Sequence, residues 1–272
     1  NVVSVAHFGD ILTKGENSHG IFAQSIGGGG GNAGINIAKF RQSGGLNVES
    51  KGFSFALGGG TGAGGSGANV TVSHVGNIST LGFNSYGVFA QSVGGGGGNA
   101  AMDEMSIDGR GGTLSIVMGR VGGTGGTGGD VRLAADGIIT TAGDMSSAVF
   151  AQSLGNGGGN SSTTSINLTK PAKVKKPTGQ TPAEPPESRS INFSLGMAGG
   201  EGGRAGNVTV TTAGTIMTAG VLSHGVQAQS IGGGGGNGGS TEQGANDDMA
   251  LTLNFGGTGG SGGVGGNVDV IN

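Results

Sequence analysis

One phrase, repeated four times, limits what this chain can fold into. Its first copy runs Ser18-His19-Gly20-Ile21-Phe22-Ala23-Gln24-Ser25-Ile26, then five Gly and Asn32. Later copies centre on Ala90, Ala151 and Ala228, with Asn99, Asn160 and Asn237 closing their Gly runs. Between copies lies a second motif: an apolar anchor (Leu57, Met118, Leu195, Phe255), a Gly-rich run, and then Asn69, Asp130, Asn207 or Asn267 before Val. Anchor and Asn or Asp stay 12 residues apart (57 to 69, 118 to 130, 195 to 207, 255 to 267), and from there to the next poly-Gly Asn is 30 (69 to 99, 130 to 160, 207 to 237). All variation in length falls between the poly-Gly Asn and the next anchor. A fixed frame with one elastic site per repeat is the signature of stacked structural units, in which framework residues must match their neighbours.

The repeat divides the chain into one continuous solenoid of four units, about 1–68, 69–129, 130–206 and 207–266, with 267–272 opening a fifth. Segments 33–56, 100–117, 161–194 and 238–254 read as displayed loops, holding 18 of the 29 charges but 11 of the 69 Gly. Neither end carries a polar cap, so the expectation is a window of a longer repetitive chain. No signal peptide opens it, and no apolar run reaches the roughly 18 residues of a membrane helix.

Gly makes up 69 of 272 residues, and helices have no room between them, since interior Gly costs a helix about 1 kcal/mol relative to Ala. There is no Cys for a disulfide scaffold, and five Pro are too few for collagen. A net charge of -3 argues against a nucleic-acid partner. Short β-branched runs such as Asn207–Thr211, Leu114–Met118 and Ile191–Leu195 read as strands. In 88–93, alternation separates a small face (Val88, Ala90, Ser92) from a larger one (Phe89, Gln91, Val93), and the larger face is expected to fill a narrow core. The Gly-Gly-X rhythm of 122–129 and 256–263 has the three-residue period of a polyproline-II helix with X along one edge. Such segments are expected to pack in order, and a side chain at Gly96, mid-run, to clash with a neighbour. Sixty-one residues allow about three turns of an ordinary parallel β-helix, or fewer, wider turns that include the Gly segments. The fold class is therefore all-β: an elongated repeat β-solenoid, parallel β-helix-like, with polyproline-II-like Gly segments packed alongside the strands.

Motifs that carry chemistry are weak. Gly125–Asp130 matches the start of a calcium nonapeptide, but its Asp becomes Asn69, Asn207 and Asn267 in the other copies. No Gly run ends in the Lys-Ser/Thr of a phosphate loop. His19 is exchanged for Tyr86 and Ser147 before returning as His224, as a required ligand or base would not be, and His7 and His74 have no partner at ligand spacing. The Ser column 25, 92, 153 and 230 has no repeated His or Asp for nucleophilic chemistry. The four Gln (24, 91, 152, 229) read as structural. Asp103, Glu104, Asp108 and Arg110 are the one set that would suit a polysaccharide lyase, and no other unit repeats it. Lys170, Lys173, Lys175 and Lys176 form a basic group in the Pro-rich third insertion, read as a solvated loop or as a patch for an anionic surface polymer or lipid. No catalytic, cofactor-binding or metal-binding residue is assigned, and no cofactor is expected.

The Ser-His-Gly-(Ile/Val)-(Phe/Gln)-Ala-Gln-Ser-Ile phrase with its poly-Gly tail resembles the Gly-rich repeats of very long autotransporter-like surface proteins of Gram-negative bacteria, notably α-proteobacteria. The resemblance implies an exported passenger region at the cell surface, with an outer-membrane barrel as anchor elsewhere in the full chain. The expected function is a non-enzymatic structural segment of an extracellular fibre, self-associating or continuing into further repeats. The alternative is an adhesin that binds a host or carbohydrate surface through its loops or Gly-rich faces.

Overall fold

The computed structural model describes residues 2–41, 52–108, 113–169, 189–245 and 249–272. The first coil contains β1 (Val3–Phe8), β2 (Ile11–Thr13), β3 (Ile21–Ile26), β4 (Asn36–Arg41) and β5 (Gly52–Leu57). The second repeats them as β6 (Val70–Val75), β7 (Ile78–Thr80), β8 (Val88–Val93), β9 (Asp103–Asp108) and β10 (Thr113–Met118). The third holds β11 (Val131–Asp136), β12 (Ile139–Thr141), β13 (Val149–Leu154), β14 (Thr164–Thr169) and β15 (Arg189–Leu195). The fourth holds β16 (Val208–Ala213), β17 (Ile216–Thr218), β18 (Val226–Ile231), β19 (Thr241–Ala245) and β20 (Met249–Phe255), and β21 (Val268–Ile271) follows.

Every strand pairs in parallel with its counterpart one repeat away, giving five sheets, such as β1-β6-β11-β16-β21 and β3-β8-β13-β18. The register is residue for residue: Ala23 opposes Ala90, Ala90 opposes Ala151, and Ala151 opposes Ala228. The fold is thus an all-β solenoid, and each repeat is a single wide coil. At about 4.8 Å between strands, four coils rise roughly 19 Å.

Two apolar cores result. The first lies among the first three sheets, with Val72, Leu133 and Val210 from one, Ile78 and Ile139 from the next, and Val88, Ala90, Val149 and Ala151 from the third. The second lies between the fourth and fifth sheets and holds Ala56, Met105, Ile107, Val117, Ile166 and Leu168. The segments expected as displayed loops therefore contribute two strands each and build a core: Ile166 and Leu168 belong to 161–194 and are buried. Of the third insertion only 170–188 lies outside the described residues, and the Lys170–Lys176 group with it. The in-out assignment of β8 also reverses expectation. Val88, Ala90 and Ser92 are fully buried, while Phe22, the counterpart of Phe89, is 52% exposed. Small residues face in because Ser92 must reach the backbone of the adjoining turn: its hydroxyl donates to the Ala68 carbonyl and accepts from the Gly129 amide, both at 2.8 Å.

Between the cores lie the Gly segments, in two layers. One layer holds the poly-Gly runs (27–31, 94–98, 155–159, 232–236) and the other the Gly-Gly-X runs. Bonds within a layer join coil to coil, as from the Gly94 amide to the Leu154 carbonyl (2.8 Å), Gly97 to Gly157 (2.9 Å) and Gly64 to Thr124 (2.8 Å). Bonds between layers alternate: the Gly95 amide donates to the Gly65 carbonyl (2.8 Å) and Gly126 to Gly95 (2.7 Å), then Gly98 to Gly62 (2.9 Å) and Gly123 to Gly98 (2.8 Å). The pattern repeats every three residues along each segment, the period of a polyproline-II helix. Such a helix makes no internal bonds, so its amides must be satisfied by neighbours. One edge of each segment faces its own layer, one the other layer, and the third faces out. On the Gly-Gly-X layer that third edge carries Val121, Thr124 and Thr127, all exposed, as the Gly-Gly-X period implies.

The edges explain which Gly are obligatory. A Cβ on Gly97 would meet the Gly123 oxygen at 2.0 Å and the Gly159 nitrogen at 2.7 Å. A Cβ on Gly96 would meet nothing within 4 Å. The expected clash at Gly96 is therefore absent, because that residue lies on the outward edge. Asn156 takes the register position of Gly95. Its amide still donates to Gly126 at 3.1 Å, and its side chain donates to the Gly94 carbonyl at 3.1 Å. Separately, the turn after the first strand of each coil places Gly9, Gly76, Gly137 and Gly214 at φ between 112° and 137°, where a side chain is strained.

Candidate interaction surfaces

Most repeated polar residues are consumed by coil-to-coil ladders. Gln24 donates to Gln91, Gln91 to Gln152 and Gln152 to Gln229, at 2.6, 2.6 and 2.7 Å. Asn32 Oδ1 accepts the Asn99 amide, Asn99 that of Asn160, and Asn160 that of Asn237. Asn69, Asp130 and Asn207 do the same for Asp130, Asn207 and Asn267. This is why Asp and Asn exchange freely there: each coil needs one side-chain oxygen, charged or not. The second carboxylate oxygen of Asp130 accepts from Arg132 at 2.9 Å, so the nonapeptide Asp is engaged by protein partners on both oxygens. Among the described residues no group of three His, Asp or Glu could hold a metal ion.

The Ser column is likewise structural. Ser153 Oγ donates to the Gly129 carbonyl at 2.9 Å and accepts the Gly206 amide at 2.8 Å, pinning the end of β13 to two Gly-rich turns. Ser153→Ala strands both groups inside the protein and is expected to cost about 1–3 kcal/mol. A thermal melt measures this, and Ser153→Thr, which retains the hydroxyl, should recover part of the loss.

The lyase-type set does not converge. Asp103 and Glu104 are neighbours on β9 and point to opposite faces, Asp103 buried and Glu104 part-exposed. Arg110 lies outside the described residues, as does the side chain of Asp108. Asp103 is therefore no exposed loop residue. Neither of its carboxylate oxygens has a partner of normal geometry, and burial raises its pKa against the opposing pull of the Ser162 hydroxyl and the Arg120 charge.

His74 is buried, and its Nδ1 lies 3.2 Å from His7 Nδ1, the rings stacked at 5.2 Å. His74 Nε2 is 3.1 Å from the Gly76 carbonyl, which assigns its proton to Nε2 and leaves Nδ1 to accept from His7. Desolvation first, then the His7 charge, lower the His74 pKa; Gly76, the His7 backbone and Asp10 pull weakly the other way. A lowered pKa means the unfolded chain binds the proton more readily. Stability is then full above about pH 6.5 and declines as the pH falls below it toward the lowered folded value. Melting temperature should accordingly drop as the pH falls below about 6.5. His74→Ala, which installs the residue that Ala135 provides in the next coil, should flatten much of that slope. His19, lowered by burial, accounts for part of what remains.

Two outward faces are unusual. On the third sheet Phe22, Phe89 and Phe150 stack at 4.8 Å with planes within 9° of parallel. Their flat faces are turned toward each other along the axis, so solvent meets ring edges. On the fifth sheet the polarity of every strand is reversed. Phe53, Leu114, Ile191 and Leu251 form one outward column, Phe55, Ile116, Phe193 and Leu253 the next, and Leu57, Met118, Leu195 and Phe255 the third. Small or polar residues alternate with them on the inner side, including fully buried Ser115, Asn192 and Ser194. Sequence reasoning reads Leu114–Met118 and Ile191–Leu195 as strands but misses this face, because it places Phe53, Phe55, Leu251 and Leu253 in loops. The signal was present in the alternation of Ile191, Phe193 and Leu195 with Ser190, Asn192 and Ser194. Among the described residues no helix is long and apolar enough to cross a membrane. No protein-family model, curated protein or solved structure matches the chain.

Proposed function

We propose that this chain is a non-enzymatic structural segment of a long extracellular or cell-surface fibre, exported and anchored through parts of the protein outside this sequence. The observation that carries the reading is the fate of the repeated polar side chains: Gln, Asn, Asp and Ser all bond to the next coil or the adjoining turn. Residues spent in this way hold coils together and, among the described residues, leave no converging set for chemistry. The outer-membrane location and Gram-negative source rest on the resemblance of the repeat phrase. Adhesion to sugar rings through the aromatic column gains no support, since stacking on a sugar needs an open ring face and the column presents edges. The structural reading is tested by length. Adding copies of the 130–206 repeat should extend the maximum dimension in solution scattering by about 4.8 Å per copy. A dimension that stays constant, or grows as a flexible chain does, would refute a stacked segment.

A further inference from the structure

We infer that the outward face of the fifth sheet, β5-β10-β15-β20, is a lateral docking surface for a second copy of this chain, packed sheet against sheet about a two-fold axis. The inference rests on the structural-segment reading and names its partner. Strand polarity is the first argument. In β15 the outward residues are Arg189 at the strand's start and then Ile191, Phe193 and Leu195, and the inward ones are Ser190, Asn192 and Ser194. A one-residue change of register would bury the large side chains instead, yet all four strands keep them outside. The inner side also has a cost: Ser115 Oγ, Asn192 Oδ1 and Ser194 Oγ are buried without a hydrogen-bond partner. A sheet that leaves polar atoms unpaired inside and large apolar ones exposed outside is the middle layer of a stack that lacks its third layer.

The identity of that layer follows from chemistry and spacing. Among the described outward residues of the four strands Arg189, at the start of β15, is the one charge, and the three columns that follow it are uncharged, so an anionic polymer would meet a single cation at the rim of an apolar face. A membrane surface is usually met by Lys or Arg flanking Trp or Tyr; the chain has no Trp, and its one Tyr, Tyr86, is elsewhere. A second copy presents the same uncharged columns at the same strand spacing, and its own face needs the same cover. Two such sheets would pack about 10 Å apart. Area sets the strength. Four strands at about 4.8 Å and six residues at about 3.3 Å make a face of roughly 400 Å², so a pair buries about 800 Å², roughly two thirds of the 1,200 Å² at which stable complexes begin. Pairing of this chain is therefore weak and concentration-dependent, and it strengthens with every added coil.

Sedimentation equilibrium of the 272-residue chain, from about 5 to 500 µM, tests this. Wild type should shift from monomer toward dimer over that range. Ile191→Lys and Leu114→Lys, at positions already 50% and 39% exposed, should each remain monomeric with unchanged circular dichroism and melting temperature. Ser165→Lys, on the outer face of the fourth sheet and in register between Glu104 and Glu242, should dimerise as wild type does. Wild-type protein that stays monomeric throughout would overturn the inference, as would association that persists in both Lys variants, which would place it at the coil ends or the Gly layers. Flotation of monomer with neutral phosphatidylcholine vesicles would also overturn it, in favour of lipid. A monomer that still lengthens by one strand spacing per added repeat would discard the pairing and keep the structural segment.

Discussion

Gly97→Ala should sharply destabilise the protein, while Gly96→Ala, one residue away, should leave it unchanged. Both sit in the same poly-Gly run, and both replacements add one methyl. At Gly97 that methyl would lie 2.0 Å from the Gly123 oxygen. Relief by backbone movement is blocked, because Gly97 is bonded to Gly157 and its neighbours Gly95 and Gly98 to Gly65 and Gly62. Overpacking typically costs about 1–3 kcal/mol, and the value should lie at or above the top of that range where the obstacle is backbone on a bonded layer. At Gly96 the methyl enters open space, and surface changes of this kind stay within about 0.5 kcal/mol. Melts of the two variants side by side separate an ordered layer from a flexible linker, since a linker would tolerate both.

The second large effect tests which side of each strand is the core. Leu133→Ala removes a buried side chain from the column Val72, Leu133 and Val210 and should cost about 2–5 kcal/mol. Phe150→Ala removes a larger side chain but from the outer aromatic column, so it should cost only about 1 kcal/mol of ring stacking plus partial burial. If the Phe column were the core, the order would reverse, because Phe→Ala in an interior costs about 3–5 kcal/mol. Each coil contributes few apolar side chains, and each touches only its neighbours. Loss of Leu133 should therefore weaken coupling between adjacent coils as well as the third coil itself.

These contrasts mark where the sequence was legible. The repeat, its phase and the parallel in-register stacking were readable because insertions leave the frame spacings untouched. Strands such as Leu114–Met118 and Ile191–Leu195 were readable from alternation, and they appear as β10 and β15. Alternation does not say which face turns inward. Size suggested Phe89, yet the geometry of the Ser92 pin selects Ala90. Charge misdirected the reading of 100–117: Asp103, Glu104 and Asp108 suggested a loop, while Met105 and Ile107, alternating with Glu104 and Ser106, were already building the second core. The phase of the poly-Gly helix carries no side chain to mark it. Asn99, three residues beyond Gly96 and exposed, was the available marker of the outward edge. The role of Asn and Asp at 69, 130 and 207 was invisible for a different reason: their partner is a backbone amide one coil away.

Residue-resolved hydrogen exchange of the Gly amides bears most directly on the ordered layers. The amides of Gly94, Gly95, Gly97, Gly98, Gly123 and Gly126 each donate to a carbonyl in a neighbouring segment at 2.7–2.9 Å. They should exchange as slowly as the amides of β8 and β13, opening only with the coils they join. Exchange of these Gly at the rate of an unstructured peptide, while β8 and β13 stay protected, would show two β cores tethered by loose chain and would contradict the bonded Gly layers.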